Sequence, residues 1–538
     1  MVVPELRPWQ AARPHVKRVA DAVRPRLARA ATAAKPRATR LGRTLSVQVT
    51  KVKTWQYTAG AATAGLALTA VVVTAAGPWD SSGQRTAERD RAAAQGHTGG
   101  ADHDRDSSTT EAAPEPAPSA ASVLVGLGGA GSTVKSAPNG PAFAEVLDPL
   151  LRGAALGTSH AAVVVDVATG KRLYGTGADT ALTPASTTKI ATAVAALSAM
   201  GADHRLTTRT SLEPDTNELV LVGGGDPTLT ARKDDGGTSR SSEAESGGGS
   251  ASLRDLAADT AKALKKDGVR KVTLSYDKTL YAGSEAHPIG AGNDNLAPVS
   301  ALMADEGRVD DSVSGTADRA PDPALDAARK FAEFLQAEGI KTTSPGPSKA
   351  TSRAKTLAEV SSPPLSALVE RMLTNSDNDI AEALARQTAV ATKVRADFDG
   401  GGEAIRAQLK KLQLPVSGVS FKDGSGLNRA DRLTANLLTA LLVKAGDQDH
   451  PELRPVLTGL PIAGFTGTLT TRYTNGAAGV VRAKTGTLTG VNTLAGTVVD
   501  QDGRLLAFAF LASNTTSKDA AQAALDMTAT ALAACGCR

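Results

Sequence analysis

The spacing of apolar residues predicts strands in two regions of the chain. The segment AAVVVDVATGKRLYG, residues 161–175, predicts two strands joined by an Ala-Thr-Gly-Lys turn, because apolar residues flank a turn-forming tetrapeptide. Residues 480–490, 491–500 and 505–514 predict three further strands, and residues 517–534 predict a helix. The region between these two groups of strands has more apolar residues at helical spacing. This order of elements indicates an α+β fold.

A stretch of twenty residues without a charge occupies positions 58–77. Its length matches what a helix needs to cross the hydrocarbon of a bilayer. Residues 1–57 before it hold 13 Lys and Arg against 2 Asp and Glu. The positive-inside rule therefore predicts a cytoplasmic basic tail, a transmembrane anchor in the cell membrane and an extracytoplasmic remainder. A small-residue site such as Val73-x-Ala75 leaves the alternative of a cleaved signal peptide and a secreted protein.

The net charge of the whole chain, +5, hides a difference between the tail and the rest. Because residues 1–57 carry a net +11, the remaining residues carry −6. A basic tail can attract nucleic acid, but this one has almost no interleaved aromatic residues. Attraction to the anionic inner leaflet accounts for its charge, so we expect a membrane partner and no nucleic acid.

Two segments have the composition of chain that does not fold by itself. Residues 80–141 are rich in Ala, Gly, Ser, Asp, Glu and Pro and bury too little apolar surface to offset the entropy of ordering. We expect a disordered linker there. Residues 231–252, rich in Ser and Gly, predict a long surface loop.

The length and the cysteine content limit how the fold can be held together. At 538 residues the chain exceeds what one hydrophobic core usually supports, so several structural units are expected. Its two cysteines, Cys535 and Cys537, lie at the C-terminus and cannot supply a disulfide framework or a structural zinc site. The seven histidines lack metal-ligand spacing. We therefore expect no metal and no cofactor.

A first motif places Ser186 directly before an apolar helical pattern, with Lys189 three residues later. This spacing puts both side chains on one face of a helix, one turn apart. A lysine whose pKa is lowered by burial and by a second nearby cation can take the proton of a serine hydroxyl, so no histidine is needed. Alone, the pair is equally typical of a helix-capping serine beside a solvated lysine.

A second motif, Ser376-Asp377-Asn378, lies between two helical patterns and predicts a polar break that faces a cleft. The Ser376 hydroxyl can relay a proton to a leaving amine. The Asn378 amide can hold both Lys189 and a substrate carbonyl. Alone, this sequence is also typical of a capped turn.

A third motif, Lys484-Thr485-Gly486-Thr487, lies inside a predicted strand. Because Gly486 has no side chain, an extended peptide substrate could approach the strand there and pair with its backbone. Lys484 and Thr485 could bind the terminal carboxylate of that peptide. The N–H groups of Thr487 and Ser186 could form an oxyanion hole.

The three motifs together, in this order, resemble the signature of the serine penicillin-binding proteins and β-lactamases. Four further segments are similar to the D-Ala-D-Ala carboxypeptidases and endopeptidases of the class C penicillin-binding proteins, the S13 peptidases. They are LVGGGDPTL (221–229), LAPVSAL (296–302), DGSGLNRADRLT (423–434) and GFTGTLTTR (464–472). The resemblance implies an α+β, β-lactamase-like fold, in which an antiparallel sheet is flanked by helices and accompanied by a helical subdomain.

The resemblance also assigns roles to the motif residues. It implies Ser186 as the nucleophile, Lys189 as its base and a proton relay through Ser376 and Asn378. Substrate recognition then falls to the third motif, in particular to Lys484 and Thr485.

The separation of the motifs fits the same group of peptidases. Ser376 follows Ser186 by 190 residues, whereas the third motif follows after 108 more. Family members carry extra domains between the first two motifs. The resemblance therefore implies an insertion at about 213–364, between two parts of the catalytic domain at 142–212 and 365–538.

The implied function is a serine carboxypeptidase that removes the terminal D-Ala of peptidoglycan stem peptides through an acyl-enzyme. The same site could cut D-alanyl cross-links as an endopeptidase, and β-lactam antibiotics would acylate it. One alternative is a β-lactamase, but the Glu-x-x-x-Asn element that deacylates such enzymes does not occur between Asn378 and Lys484. Another alternative is a catalytically silent envelope protein that binds peptidoglycan or a partner.

Overall fold

A computed structural model describes residues 140–232, 250–290, 293–473 and 476–536. The predicted tail at 1–57, the predicted anchor at 58–77, nearly all of the linker at 80–141 and most of the loop at 231–252 lie outside the described residues. No helix within the described part is long and apolar enough to cross a membrane. Cys535, near the end of the described residues, is disulfide-bonded.

The helices and strands of the described residues follow one another in a mixed order. The helices are α1 (Gly140–Leu151), α2 (Thr188–Met200), α3 (Leu253–Lys266), α4 (Pro323–Ala337), α5 (Leu365–Asn375), α6 (Asn378–Ala391), α7 (Phe398–Lys411), α8 (Ala435–Gly446), α9 (Pro455–Thr458) and α10 (Lys518–Ala533). The strands are β1 (Ser159–Asp166), β2 (Arg172–Thr176), β3 (Thr207–Leu212), β4 (Glu218–Val222), β5 (Lys271–Asp277), β6 (Lys341–Thr342), β7 (Gly346–Pro347), β8 (Lys355–Ser361), β9 (Val481–Leu488), β10 (Val491–Val499) and β11 (Leu505–Ser513).

The first and last strands of the described chain form one antiparallel sheet, in the order β2-β1-β11-β10-β9. The predicted hairpin at 161–175 is confirmed as β1 and β2. The three predicted strands near the C-terminus are confirmed as β9, β10 and β11, followed by the predicted helix α10. Short apolar runs bounded by turn residues were enough to predict these elements, and β1, β10 and β11 are buried along almost their whole length.

The two faces of this sheet bury different helices. In β1, the side chains of Ala161, Val163 and Val165 belong to a core that includes α2, α5, α6, α7 and α8. The alternate side chains Ala162 and Val164 belong to a second core with α1 and α10. Successive side chains of a strand point to opposite faces, so one strand supplies both cores. The expected sheet flanked by helices, with a helical subdomain, is confirmed.

Helix α2 lies at the centre of the helical subdomain. Every residue from Thr188 to Leu197 is buried. The helix packs against α5, α6, α7 and α8, so a polar side chain in its first turn is removed from water on all sides.

The middle of the described chain holds a second sheet, in the order β6-β5-β4-β3-β8, with β7 also paired to β5. Helix α3 connects the parallel strands β4 and β5, and α3 and α4 share a core with this sheet. The sheet begins at Thr207, before residue 213, where we expected the insertion to start. The strand from Thr207 is part of this sheet because it pairs with β4 and β8.

The chain between β5 and α4 joins the second sheet to the catalytic helices. Leu296 and Val299 pack in a small core with Ala389 of α6 and Ala404 of α7. This segment, residues 278–322, is called the docking segment below. It brings residues of the insertion next to the second motif.

A cavity variant tests the core beneath the sheet. Phe508 in β11 is fully buried, and its ring stacks on Phe510 at a centroid distance of 5.0 Å. Phe508→Ala should lower the free energy of unfolding by about 3 to 5 kcal/mol, measured by urea denaturation. Met527 of α10 is 56% exposed, so Met527→Ala should change that free energy by less than about 0.5 kcal/mol. Equal losses in both variants would contradict this packing.

Candidate active site

Ser186 lies in a tight turn just before α2. Residues Ala185–Thr187 form one turn of 3₁₀-helix, and α2 begins at Thr188. Ala185 has a φ of +48°, in the left-handed region that costs a residue with a side chain about 1 kcal/mol or more. Thr493 of β10 holds the turn by donating a hydrogen bond from its hydroxyl to the Pro184 carbonyl at 2.7 Å. The adjacent strand β10 therefore fixes the backbone turn that carries Ser186.

Two glycines make room for this turn. A Cβ atom on Gly486 would lie 2.7 Å from the Pro184 oxygen and 2.1 Å from the Thr493 hydroxyl. A Cβ atom on Gly426 would lie 1.9 Å from the Ala185 oxygen. In this structure Gly486 makes room for the turn that carries Ser186. The approach of a peptide substrate at Gly486 stays a prediction.

Lys189 is fully buried and is held by three oxygen atoms. Its Nζ donates to the Ser186 hydroxyl at 3.0 Å, to the Asn378 side-chain oxygen at 2.7 Å and to the Ser425 carbonyl at 2.8 Å. The predicted pair of Ser186 and Lys189 thus lies within hydrogen-bond distance. The contact with Asn378 joins the first motif to the second across 189 residues of chain.

The surroundings of Lys189 lower its basicity. Burial, which disfavours the charged form, lowers the pKa of Lys189 from its usual value of 10.5 to about 8, although the charges of Asp423 and Glu382 oppose this shift. Near neutral pH a useful fraction of the side chain is therefore uncharged and can accept a proton from Ser186.

Lys484 is the second buried amine of the site. Its Nζ donates to the carbonyl of Thr485 at 3.0 Å. Burial, followed by the charge of Lys189, lowers the pKa of Lys484 well below its usual value. A substrate carboxylate beside it would favour the charged form again, because an opposite charge offsets desolvation.

The second motif forms the predicted break between two helices. Ser376 follows α5 in a left-handed conformation, with φ 58° and ψ 38°, and Asp377 caps α6 by accepting the N–H of Ile380 at 2.9 Å. Asn378 donates one amide N–H to the carbonyl of Asn295 at 3.1 Å. The Ser376 hydroxyl makes no hydrogen bond to any described residue, so its relay role stays a prediction.

The docking segment holds the second motif from the other side. Asp379 accepts the N–H of Ala297 at 2.8 Å and pairs with Arg319 at 2.8 Å. Arg371 of α5 pairs with Glu306 of the docking segment. A cavity of about 110 Å³ lies between the docking segment and the second motif. These pairs link the insertion to the helices on either side of the second motif, and the contact of Asn378 with Asn295 joins it to the motif itself.

The remaining residues of the third motif lie on β9, which ends the antiparallel sheet. The Thr485 hydroxyl bonds to that of Thr468 at 3.0 Å, and the Thr487 hydroxyl accepts from Gln522 of α10 at 3.2 Å. Strand β9 pairs with β10 on one edge; within the described residues, the other edge carries one isolated bridge, between Ile462 and Arg482. An edge strand of this kind can accept a further strand from a peptide.

The chain matches the D-Ala-D-Ala carboxypeptidase 3 (S13) family over residues 143–318 and 314–534. It belongs to this family. A carboxypeptidase of Mycobacterium tuberculosis is 35% identical over 385 residues, which cover 70% of this chain and 80% of that protein. The D-alanyl-D-alanine carboxypeptidase of Actinomadura sp. (strain R39) is 31% identical over 426 residues, which cover 66% and 78%. As a member of the S13 family, the protein is a D-Ala-D-Ala carboxypeptidase, a hydrolase.

A solved structure shares the fold. The chain is similar to penicillin binding protein 4 from Haemophilus influenzae, with a TM-score of 0.56 and 21% identity, covering 73% of this chain and 98% of that one. The fold that the motifs implied is thereby confirmed.

Sequence reasoning missed a buried cluster beneath the base of this S13 peptidase. His287, Glu382 and Asp423 come together from the docking segment, α6 and the loop after α7. These three residues are far apart in the sequence and form no recognisable motif. Only the DGSGLNRADRLT segment pointed to one of them, Asp423. The Glu382 and Asp423 carboxylates accept the backbone N–H groups of residues 424, 425, 426 and 428, so the chain itself already supplies them with hydrogen bonds.

A similar group of carboxylates lies under the second motif. Glu306, Asp377 and Asp379 bring oxygen atoms close enough to surround one ion. Arg308, Arg319 and Arg371 pair with two of them, which supplies the balancing charge from the protein. Neither cluster alters the expectation that the reaction needs no metal.

Gly486 offers a test of the packing around the nucleophile. Gly486→Ala should push back the turn at Pro184 and lower the rate of acylation by benzylpenicillin about 100-fold, because small displacements of reacting groups are costly. Gly346→Ala is the control, since a Cβ there meets no atom within 4 Å. Wild-type acylation by the Gly486 variant, measured by stopped-flow or quenched labelling, would contradict the account.

Proposed function

We propose that the protein removes the C-terminal D-Ala from peptidoglycan stem peptides through an acyl-enzyme on Ser186. The observation that carries the proposal is the buried Lys189 amine, which lies 3.0 Å from the Ser186 hydroxyl. A serine at its ordinary pKa is a weak nucleophile and needs a base within hydrogen-bond distance. Lys189 meets the geometric and the electrostatic requirement for that base.

Acylation follows from this pair. Uncharged Lys189 takes the proton as the Ser186 oxygen attacks the carbonyl of the penultimate D-Ala. The N–H groups of Ser186 and Thr487 stabilise the negative charge on the carbonyl oxygen. The peptide C–N bond then breaks, and the departing D-Ala amine takes a proton from the Lys189 and Ser376 network. Water attacks the ester by the reverse path and frees Ser186.

Substrate binding is assigned to the open edge of β9. An extended stem peptide would pair with this edge through its backbone. Its terminal carboxylate would contact Lys484 and the hydroxyl of Thr485. The Thr485 hydroxyl bonds to the exposed hydroxyl of Thr468 at 3.0 Å. Because hydroxyl groups rotate, both could turn to donate to a substrate carboxylate.

The same machinery accounts for two further reactions. A D-alanyl cross-link presents the same bond with a neighbouring stem as the leaving amine, so the proposal includes endopeptidase activity. A β-lactam presents a strained amide to Ser186 and would leave a long-lived ester. A silent binding protein is disfavoured, because such a protein has no need for a desolvated lysine beside its serine.

Removal of the nucleophile tests the proposed hydrolysis. Ser186→Ala should abolish D-Ala release from a stem pentapeptide and the cleavage of dimers in purified sacculi, because no acyl-enzyme can form. Ser198→Ala, a half-buried serine three turns along α2, should keep wild-type rates. Released D-Ala and muropeptides are quantified by chromatography. D-Ala release by the Ser186 variant would sink the proposal, and intact dimers with wild-type protein would exclude the endopeptidase role.

We also propose that residues 58–77 anchor the protein in the cell membrane, with the catalytic part outside. The uncharged length and the preceding basic tail support this location. N-terminal sequencing of protein from membranes should find residues 1–57 still attached. A mature N-terminus just after residue 77 would instead show a cleaved signal peptide.

A further inference from the structure

His287 of the docking segment reaches beneath the catalytic base. Its side chain is buried, and its ring meets that of Phe398 edge to face at a centroid distance of 5.1 Å. A buried imidazole needs partners for both nitrogen atoms. The proposed mechanism gives this residue no role, although it lies close to charged groups that face Lys189.

The hydrogen bonds of the ring define its orientation. Its Nδ1 accepts the N–H of Ile289 at 3.2 Å, which places a proton on Nε2. Nε2 lies 3.1 Å from a carboxylate oxygen of Asp423 and 3.5 Å from one of Glu382. Nε2 thus lies close to two carboxylates, although its N–H is not aligned for a hydrogen bond with either, and the positive end of the ring still faces their charge.

These two carboxylates shape the loop that holds Lys189. Glu382 accepts the N–H groups of Gly424 and Ser425, with distances of 3.0 and 2.9 Å. The carbonyl of Ser425 then accepts the Lys189 amine at 2.8 Å. Asp423 lies against His287, and Ser425 contacts the Lys189 amine. Only Gly424 separates these two loop residues.

We propose that His287 is a positioning residue, which sets the basicity of Lys189 by holding Asp423 and Glu382 and offsetting part of their charge. The proposal rests on the proposed function, because it assigns His287 a role in the same acylation step. Of the charges that face Lys189, those of Asp423 and Glu382 raise its pKa most. A donor at His287 weakens their field at the amine.

The other charged groups around these residues fit the same account. Lys189 also faces Asp377, which caps α6, Asp379 in the first turn of α6, and Lys484 of β9. Asp431 lies beside Asp423. Burial, together with the negative charge of Asp423, raises the pKa of Asp431 to about 10, so Asp431 is uncharged at neutral pH. Burial lowers the pKa of His287, but the nearby carboxylates of Asp423 and Glu382 favour the charged ring and raise the pKa to about 9.

The sign of the effect follows from these charges. Without the His287 donor, Lys189 would face two unscreened carboxylates, and its pKa would rise above its present value of about 8. Acylation needs the uncharged amine, so the rate would then reach its plateau only at higher pH. A residue that served packing alone would lower the plateau or the stability without moving this midpoint.

The test is the pH profile of acylation by benzylpenicillin in the full-length protein. The wild-type rate should rise through a midpoint near 8. In His287→Leu the midpoint should shift up by about one unit, which lowers the rate at about pH 7 nearly tenfold while the alkaline plateau is kept. His287→Gln, whose amide can still donate, should show a smaller shift. His204→Leu, at an exposed histidine, is the control and should leave the profile unchanged.

Each outcome decides one point. An unchanged midpoint in both His287 variants, with folded protein verified by circular dichroism and active-site titration, overturns the inference. Stoichiometric metal that is present in the wild type and lost in the variants also overturns it, because an ion would then hold the carboxylates. Absence of any acylation in the wild type sinks the proposed function instead.

Discussion

The site depends on the contacts of one buried amine, that of Lys189, with three oxygen atoms. Lys189 lies in the first turn of a helix without exposed residues, and it meets Ser186, Asn378 and the Ser425 carbonyl within 3.0 Å. Burial alone would favour the uncharged amine strongly, whereas the nearby carboxylates favour the charged one. The balance leaves a base that can accept the proton of a serine near neutral pH, so the surrounding fold serves mainly to keep water out and these oxygen atoms in place.

Close packing of backbone keeps the nucleophile in that position. The turn before α2 contains a left-handed alanine, Ala185, and is enclosed by Gly426 on one side and Gly486 on the other. Strained backbone of this kind persists where the neighbouring structure determines it. The insertion contributes in a similar way, since Asp379 pairs with Arg319 and His287 reaches Asp423. A domain that lies outside the catalytic motifs in sequence therefore forms part of the wall around them.

Much of this arrangement could be predicted from local sequence. The strands around Val163 and Phe508 could be predicted because each is a short apolar run bounded by turn residues. The pairing of Lys189 with Ser186 could be predicted because residues three positions apart lie on one face of a helix. The contacts of Lys189 with Ser425 and of His287 with Asp423 could not be predicted, since they join residues more than a hundred positions apart without a local pattern. The start of the second sheet at Thr207 was missed because its strand, TTRTSL, is mostly polar.

The central claim is that Ser186 is the nucleophile and that Lys189 activates it. Peptide mapping by mass spectrometry after incubation with benzylpenicillin tests this most directly. The account predicts one penicilloyl group per protein, located on the peptide that contains Ser186, and almost none in Lys189→Ala over the same time. An adduct on Ser376 or on another serine, or full labelling of the Lys189 variant at the wild-type rate, would contradict it.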